Sequence, residues 1–430
     1  MSVIENIYSV FKICRSINTD TRILQPNSIF FALKGDNFDG NKFVESALNK
    51  GCKAAVCSDE RYRDMDNVFI VPDTLKALQQ LANLHRRKLG IPIFAITGTN
   101  GKTTTKELLA SVLAQKVRIA YTSGNKNNHI GVPLTLLSMN HTVDFGIIEM
   151  GANHPGEIKA LCEIAEPDFG LITNIGKAHL EGFKSIENVK RTKGELYEYL
   201  KKKQGLIFSN IDNPILNDIL NNYSCVSYGK SEKAYCQGIY SEYGLEAVVE
   251  WQVNNETGLA KSNLIGEYNF ENILAAITIG SYFNVPGTAI DSAIACYHPR
   301  NNRSQLIKTK RNTLILDYYN ANPTSMVAAI DNFNKIKDKN KCLILGDMLE
   351  LGNDSYDEHE KILLKIEEIG FKKVFLVGEQ FYHFNDIFEF NFFKSVDVLA
   401  KHFVIHPETS KFFLIKGSRG IKLEKCTDYL

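Results

Sequence analysis

The sequence predicts an α/β protein of three domains built on mostly parallel sheets. Three observations carry this reading. The chain has 430 residues, and domains average about 150 residues. Apolar runs without polar alternation, the pattern of strands covered on both faces, recur between helical segments. A polar stretch from Tyr297 to Asn302 then interrupts the pattern, which restarts beyond it.

In the first domain, residues 1–85, the apolar run Ser28 to Leu33 ends on the turn Lys34-Gly35-Asp36. A helix from Phe43 to Asn49 follows, and then a short strand, Ala54 to Cys57. The second domain, residues 86–299, is entered through a helix over Thr74 to Leu89 and a wholly apolar strand, Ile91 to Thr97. Strands Asp144 to Met150, Phe169 to Thr173 and Gly205 to Ser209 alternate with helices Lys102 to Lys116, Gly156 to Ala165 and Ser185 to Leu200, which predicts a doubly wound sheet. Tyr235 to Val253 should add an antiparallel flank before helices Asn269 to Phe283 and Thr288 to Ala295. In the third domain, residues 300–430, strands Thr313 to Asp317, Cys342 to Leu345, Val374 to Val377 and Phe412 to Ile415 alternate with helices Ser325 to Phe333, Tyr356 to Ile369 and Val396 to Lys401. No internal repeat or low-complexity tract is present.

Composition excludes several classes of function. A formal net charge of +1 gives no field to attract nucleic acid or an anionic membrane. The nine cysteines are odd in number, scattered and without a Cys-x-x-Cys pair, as expected of free thiols in a reducing compartment. Cys52 and Cys57 lack a second pair to complete a metal site. The N-terminal stretch meets acidic Glu5 before basic Lys12 and has no apolar core with a cleavage site. No uncharged apolar run is long enough for a stable membrane insertion. A cytoplasmic location is expected.

The motif with the most complete chemistry is Ile96-Thr97-Gly98-Thr99-Asn100-Gly101-Lys102-Thr103-Thr104-Thr105, at a strand-to-helix junction. Gly98 and Gly101 allow a tight turn that presents backbone N–H groups to a phosphate, and the helix adds its positive end. Lys102 can reach the β- and γ-phosphates of a nucleotide, and Thr103 can offer its hydroxyl to Mg²⁺. Ile96 stands where the general nucleotide-loop pattern has its first glycine, so this loop is shorter.

Two side chains should join the loop on the rim formed by the carboxyl ends of the strands. Glu149 closes one strand, where it can ligate Mg²⁺. His179 follows another in Thr173-Asn174-Ile175-Gly176-Lys177-Ala178-His179. Lys193 falls mid-helix, where a lysine ordinarily extends into solvent.

These residues resemble the Mur ligase family, ATP-dependent enzymes that extend the peptide of peptidoglycan precursors. The resemblance rests on the run from Gly98 to Thr104, Glu149-Met150-Gly151-Ala152, the run from Asn174 to Phe183, Lys193-Gly194-Glu195, Gly266 to Asn272, and Asp317 to Pro323. It covers nearly the whole chain. Asn320-Ala321-Asn322-Pro323, Leu345 to Gly352 with His359 beyond it, and Lys416-Gly417-Ser418-Arg419 are most similar to the branch that joins D-alanyl-D-alanine to a UDP-N-acetylmuramoyl-tripeptide. Asp20-Thr21-Arg22 and the run from Phe31 to Phe43 resemble that branch's N-terminal domain.

The resemblance implies a three-domain Mur ligase architecture. A small N-terminal α/β domain would hold the UDP-sugar peptide through Thr21, Arg22, Lys34, Asp39 and Gly40. A central P-loop-type, mostly parallel sheet domain would hold ATP, its phosphates on Gly98, Thr99, Asn100, Gly101, Lys102, Thr103 and Thr104, with Asn269 and Asn272 near the adenine. A C-terminal Rossmann-like α/β domain would complete the pocket with Arg303 and Asp317 and bring the dipeptide to Asn320 and Asn322. Lys102, Glu149, His179 and Lys193 would be the catalytic groups. Thr103 and Glu149 would hold one Mg²⁺, and His179 with a carbamoylated Lys193 a second. A monomer with an open, weakly contacted resting form would follow.

Three positions depart from the family pattern: Asn302 and Lys184 stand where glycine is usual, and Tyr318 where serine is. Ligases adding another amino acid, and the folylpolyglutamate synthetases, share the same ATP chemistry and differ in the terminal domains. A nucleotide-gated binding protein would need the loop but not Glu149, His179 and Lys193.

Overall fold

A computed structural model describes residues 2–14, 16–300 and 302–430; Asn301, part of the expected linker, lies outside them. Three large sheets follow one another along the chain, and a two-stranded antiparallel ribbon, Lys34–Gly35 with Phe38–Asp39, lies within the first domain. The first sheet has four parallel strands in the order Ile17–Asn18, Ile29–Phe31, Ala54–Cys57 and Val68–Ile70. The helix Val3–Cys14, not anticipated from the sequence, lies beside it and buries Ile7 and Phe11, one turn apart on one face. Helix Thr74–Leu89 starts on an Asp73 cap and ends at Gly90 in the left-handed conformation. It passes without a break through the expected boundary at residues 85 and 86, and its Leu78 and Leu81 share a core with both Ile29 and Ile148.

The second sheet has nine strands. Their order is Glu256–Ile265, Glu246–Val253, Cys236–Tyr243, Val226–Gly229, Leu206–Asn210, Phe169–Ile172, Ile93–Thr97, Phe145–Glu149 and Ile119–Tyr121. All pairings are parallel except the two among the first three strands; this antiparallel flank was expected over Tyr235 to Val253 and extends beyond it by Glu256–Ile265. Ile93–Thr97 is buried along its whole length, as its unbroken apolar run requires. Its neighbours Phe145–Glu149 and Phe169–Ile172 lie on opposite sides, so the chain order reverses there and opens a crevice at the strands' carboxyl ends.

The third sheet runs Gln305–Lys308, Thr313–Asp317, Phe412–Lys416, Lys341–Gly346, Val374–Val377 and Asn391–Phe393. Only the pairing of Gln305–Lys308 is antiparallel. The third sheet's domain is docked on the central one rather than held open. Leu180 and Ile265 join its apolar core beside Met326 and Ile330. Lys177 Nζ pairs with Glu358 at 2.8 Å, and Glu181 N donates to the Glu350 carbonyl at 3.1 Å. Gly176 leaves no room for a side chain, since a Cβ there would stand 2.8 Å from Thr324 Oγ1. The nine cysteines are free, and among the described residues no helix is long and apolar enough to cross a membrane.

Candidate active site

The crevice at the strand ends is a cavity of about 1090 Å³ lined by residues of the second and third domains. The phosphate loop forms its floor. Gly98 has φ +140°, and a Cβ there would lie 2.0 Å from Thr173 Oγ1; at Gly101, φ +78°, it would lie 2.4 Å from Asn272 Oδ1. Both positions therefore need glycine for space as well as for conformation. Helix Lys102–Leu113 begins directly after Gly101, so its unpaired N–H groups and dipole face the loop. Lys102 Nζ donates to the carbonyls of Gly98 at 2.7 Å and Thr99 at 2.9 Å. Burial pushes its pKa down to about 8, with the Glu149 carboxylate acting in the opposite sense.

Beside the loop, Thr103 Oγ1 donates to Glu149 Oε2 at 3.0 Å, and Asn127 Nδ2 donates to Oε1 at 2.8 Å. Glu149 is 2% exposed. Such burial would raise its pKa, yet the ammonium of Lys106, followed by Lys102, Asn127 and Arg303, holds it below the usual value. A carboxylate and a hydroxyl sharing one contact are hard oxygen donors that fit Mg²⁺. Among the described residues no three His, Cys, Asp or Glu side chains converge as a ready metal cage.

His179 lines the cavity in a left-handed conformation, φ +51°, and its Nδ1 lies against Glu350 Oε2 from the third domain. The imidazole in turn holds the Glu350 carboxyl below its ordinary pKa. Lys193 corrects the expectation of a solvated helix lysine. It is 2% exposed, its Nζ donates to the Ala152 carbonyl at 3.2 Å, and it lies 5.5 Å from the Phe183 ring. Burial lowers its pKa well below the lysine range, and Lys102 adds to this. The register of helix Ile186–Lys203 explains the placement, since Val189, Leu196 and Leu200 bury the same side.

Asn272 Oδ1 accepts from Thr105 Oγ1, and its Nδ2 donates to Asn269 Oδ1. These asparagines thus brace the loop's helix as well as lining the cavity. Asp317 accepts from Ser304 N at 3.1 Å and from Lys416 Nζ at 2.6 Å. Arg303 stacks on Tyr319, its guanidinium carbon 3.7 Å from the ring centroid, and its buried Nε has no hydrogen-bond partner. Asn302 and Lys184 both adopt positive φ, +58° and +64°. The usual glycine at each position thus reflects a backbone requirement, one that asparagine meets more easily than lysine. Tyr318 is buried among the apolar residues of the third domain. Asn320 lines the cavity, and Asn322 reaches across to donate to Asn100 Oδ1 at 2.8 Å.

Gly98 and Lys193 sit behind the cavity wall, and Thr21, Arg22, Lys34, Asp39 and Gly40 lie outside it in the first domain. There Arg22 is exposed and paired with Asp20 at 2.6 Å, while Asp39 caps the turn Gly40–Phe43. Sequence reasoning gave no site role to Lys106, Asn127, Tyr319, Glu350 and Lys416, although the last three fall within runs that carry the resemblance. Only Lys416, at the end of an apolar strand, carried a local signal like that of Glu149.

A phosphate loop beside a buried carboxylate, roofed by a second α/β domain, defines a nucleotide-using enzyme with a closable site. Family models confirm the class: the Mur ligase family, catalytic domain, matches residues 14–86, the Mur ligase middle domain 96–280, and the Mur ligase, glutamate ligase domain, 302–419. The chain belongs to the Mur ligase family. It is 35% identical to the UDP-N-acetylmuramoyl-tripeptide--D-alanyl-D-alanine ligase of Bacillus subtilis (strain 168), over 96% of this chain and 92% of that protein. The protein of the same name in Escherichia coli (strain K12) is 32% identical over 95% and 92%. Crystal structures of MurF from Acinetobacter baumannii (TM-score 0.88, 27% identity, 99% and 97% coverage) and of MurF ligase from Thermotoga maritima in complex with ADP (TM-score 0.85, 25% identity, 97% of each chain) share the fold.

Proposed function

We propose that this chain joins D-alanyl-D-alanine to a UDP-N-acetylmuramoyl-tripeptide at the expense of ATP. The reading rests on its likeness, over nearly the full length, to ligases of that name. The observation that carries the chemistry is the Thr103–Glu149 pair at 3.0 Å beside the phosphate loop.

In the first step a carboxylate oxygen of the tripeptide attacks the γ-phosphorus, the bond to the β-phosphate oxygen breaks, and ADP leaves. In the second, the dipeptide amine attacks the acyl carbon, inorganic phosphate departs, and the amine gives up a proton. Both reactants of the first step are anions. Lys102 and Arg303 offset their repulsion, and the loop N–H groups hold the phosphates in line. Thr103 and Glu149 would hold Mg²⁺, which would supply further charge neutralisation at the phosphates. Docking of the third domain excludes water that would hydrolyse an acyl phosphate.

The first domain holds the UDP end through Thr21, Arg22, Lys34, Asp39 and Gly40, and Asn320 and Asn322 face the dipeptide. Lys193 would be carbamoylated in the active enzyme and, with His179, would hold a second Mg²⁺. In support, burial of Lys193 lowers its pKa and so favours the neutral amine, the form that reacts with carbon dioxide.

Lys102→Ala should cost at least ~3 kcal/mol of transition-state stabilisation, by analogy with a strong oxyanion donor, with unchanged circular dichroism. Near-normal turnover would refute the loop's role. Lys193→Ala should lose activity and regain part of it with added short carboxylic acids; no rescue would remove the carbamate alone.

A further inference from the structure

Lys106 is used by none of the steps above. It lies on helix Lys102–Leu113, one turn beyond Lys102, and is fully buried. Its Nζ is 3.4 Å from Glu149 Oε2 and 4.0 Å from Glu107 Oε1, and 5.8 Å from the centroid of Tyr121. It makes no hydrogen bond. A buried ammonium with three idle donors is costly, and the group it faces most closely is the oxygen that also accepts from Thr103.

We infer that Lys106 is a positioning residue of the magnesium site: it balances the charge of Glu149 so that a divalent cation binds there only together with the nucleotide's phosphates. This deepens, and rests on, the assignment of Thr103 and Glu149 to Mg²⁺. Alone, Glu149 would be a buried anion and would attract a free divalent ion. Beside Lys106 the pair is neutral, and a lone cation approaching Oε2 meets an ammonium within a few ångströms in a medium that screens poorly. The phosphates of a nucleotide bring enough negative charge to overcome that repulsion. Meanwhile Lys106 faces one carboxylate oxygen and Asn127 holds the other, so Glu149 is set before the metal arrives.

The test uses Mn²⁺ as a paramagnetic probe, free ion being counted by electron paramagnetic resonance, with the full chain and with or without ADP. The wild-type chain should bind Mn²⁺ at this site far more tightly with ADP than without. Lys106→Met should bind nucleotide-free Mn²⁺ at least about tenfold more tightly, a free-energy change of about 1.4 kcal/mol. Structural damage does not produce such a gain in affinity. Adding Thr103→Val to that variant should abolish the gain. A folded Lys106→Met chain with unchanged nucleotide-free Mn²⁺ affinity overturns the proposal. If that variant does not fold, the wild-type chain still decides, because equal Mn²⁺ affinity with and without ADP overturns it as well. Glu149→Gln that leaves Mn²⁺ binding in the presence of ADP unchanged would sink the underlying metal assignment instead.

Discussion

Lys102 folds back on two carbonyls of its own loop, so an incoming phosphate competes for an ammonium that already has partners but little solvent. Burial has brought its pKa down to about 8, and a bound polyanion favours the charged form and raises that value again. Nucleotide binding should therefore take up a proton above pH 8. Affinity for ADP, followed by calorimetry, should be flat below about pH 8 and fall as pH rises through it, and Lys102→Met should remove the slope. In folding the sign is opposite. The unfolded chain holds this proton up to the ordinary lysine range, so the group's contribution to stability increases with pH above about 8. Glu149 was legible in the sequence because it ends an apolar strand whose direction fixes the rim. Lys106 was not, and Lys193 only through the family resemblance, because a lysine on a helix reads as solvated until the packing of neighbouring helices shows that its face is buried.

At the scale of elements, helix Pro323–Lys335 links the two domains that line the cavity. Asn322 caps it by accepting from Ser325 N while Ser325 Oγ receives the Asn322 N–H, and Pro323 occupies the first turn. The cap's side-chain amide donates one hydrogen bond to Asn100 in the phosphate loop. Asn322→Ala should lower stability in denaturant unfolding by about 1 kcal/mol, the usual worth of a cap, and should weaken ADP binding because Asn100 loses its partner. A loss of stability without any effect on ADP would reduce the residue to a cap. The apolar strands and the helices between them were readable from periodicity, and their ends moved by only a few residues. Helix Val3–Cys14 was not, since its buried stripe of Ile7 and Phe11 gains meaning only from the surface of Thr74–Leu89 that it meets. Ile119–Tyr121 was equally hidden, three residues at a sheet edge and none of them buried.

Over the whole molecule, the docked third domain departs from the open resting form expected of weak interdomain contacts. The contacts across the boundary are apolar at Leu180 and Ile265 and charged at Lys177–Glu358 and His179–Glu350. Partners more than a hundred residues apart in the chain left no local trace in the sequence. The resemblance in sequence motifs covered all three domains, but the roof of the cavity, from Tyr319 to Glu350, emerged only once the domains were assembled. Such a roof matters if the reaction passes through an acyl phosphate, and the product identifies what is joined beneath it. The most direct test is phosphate release from ATP with UDP-N-acetylmuramoyl-tripeptide, with and without D-alanyl-D-alanine, and mass spectrometry of the product. The account predicts release that requires both substrates and a product heavier by the dipeptide less one water. Silence with this pair, but turnover with a single amino acid or another acceptor, would contradict it.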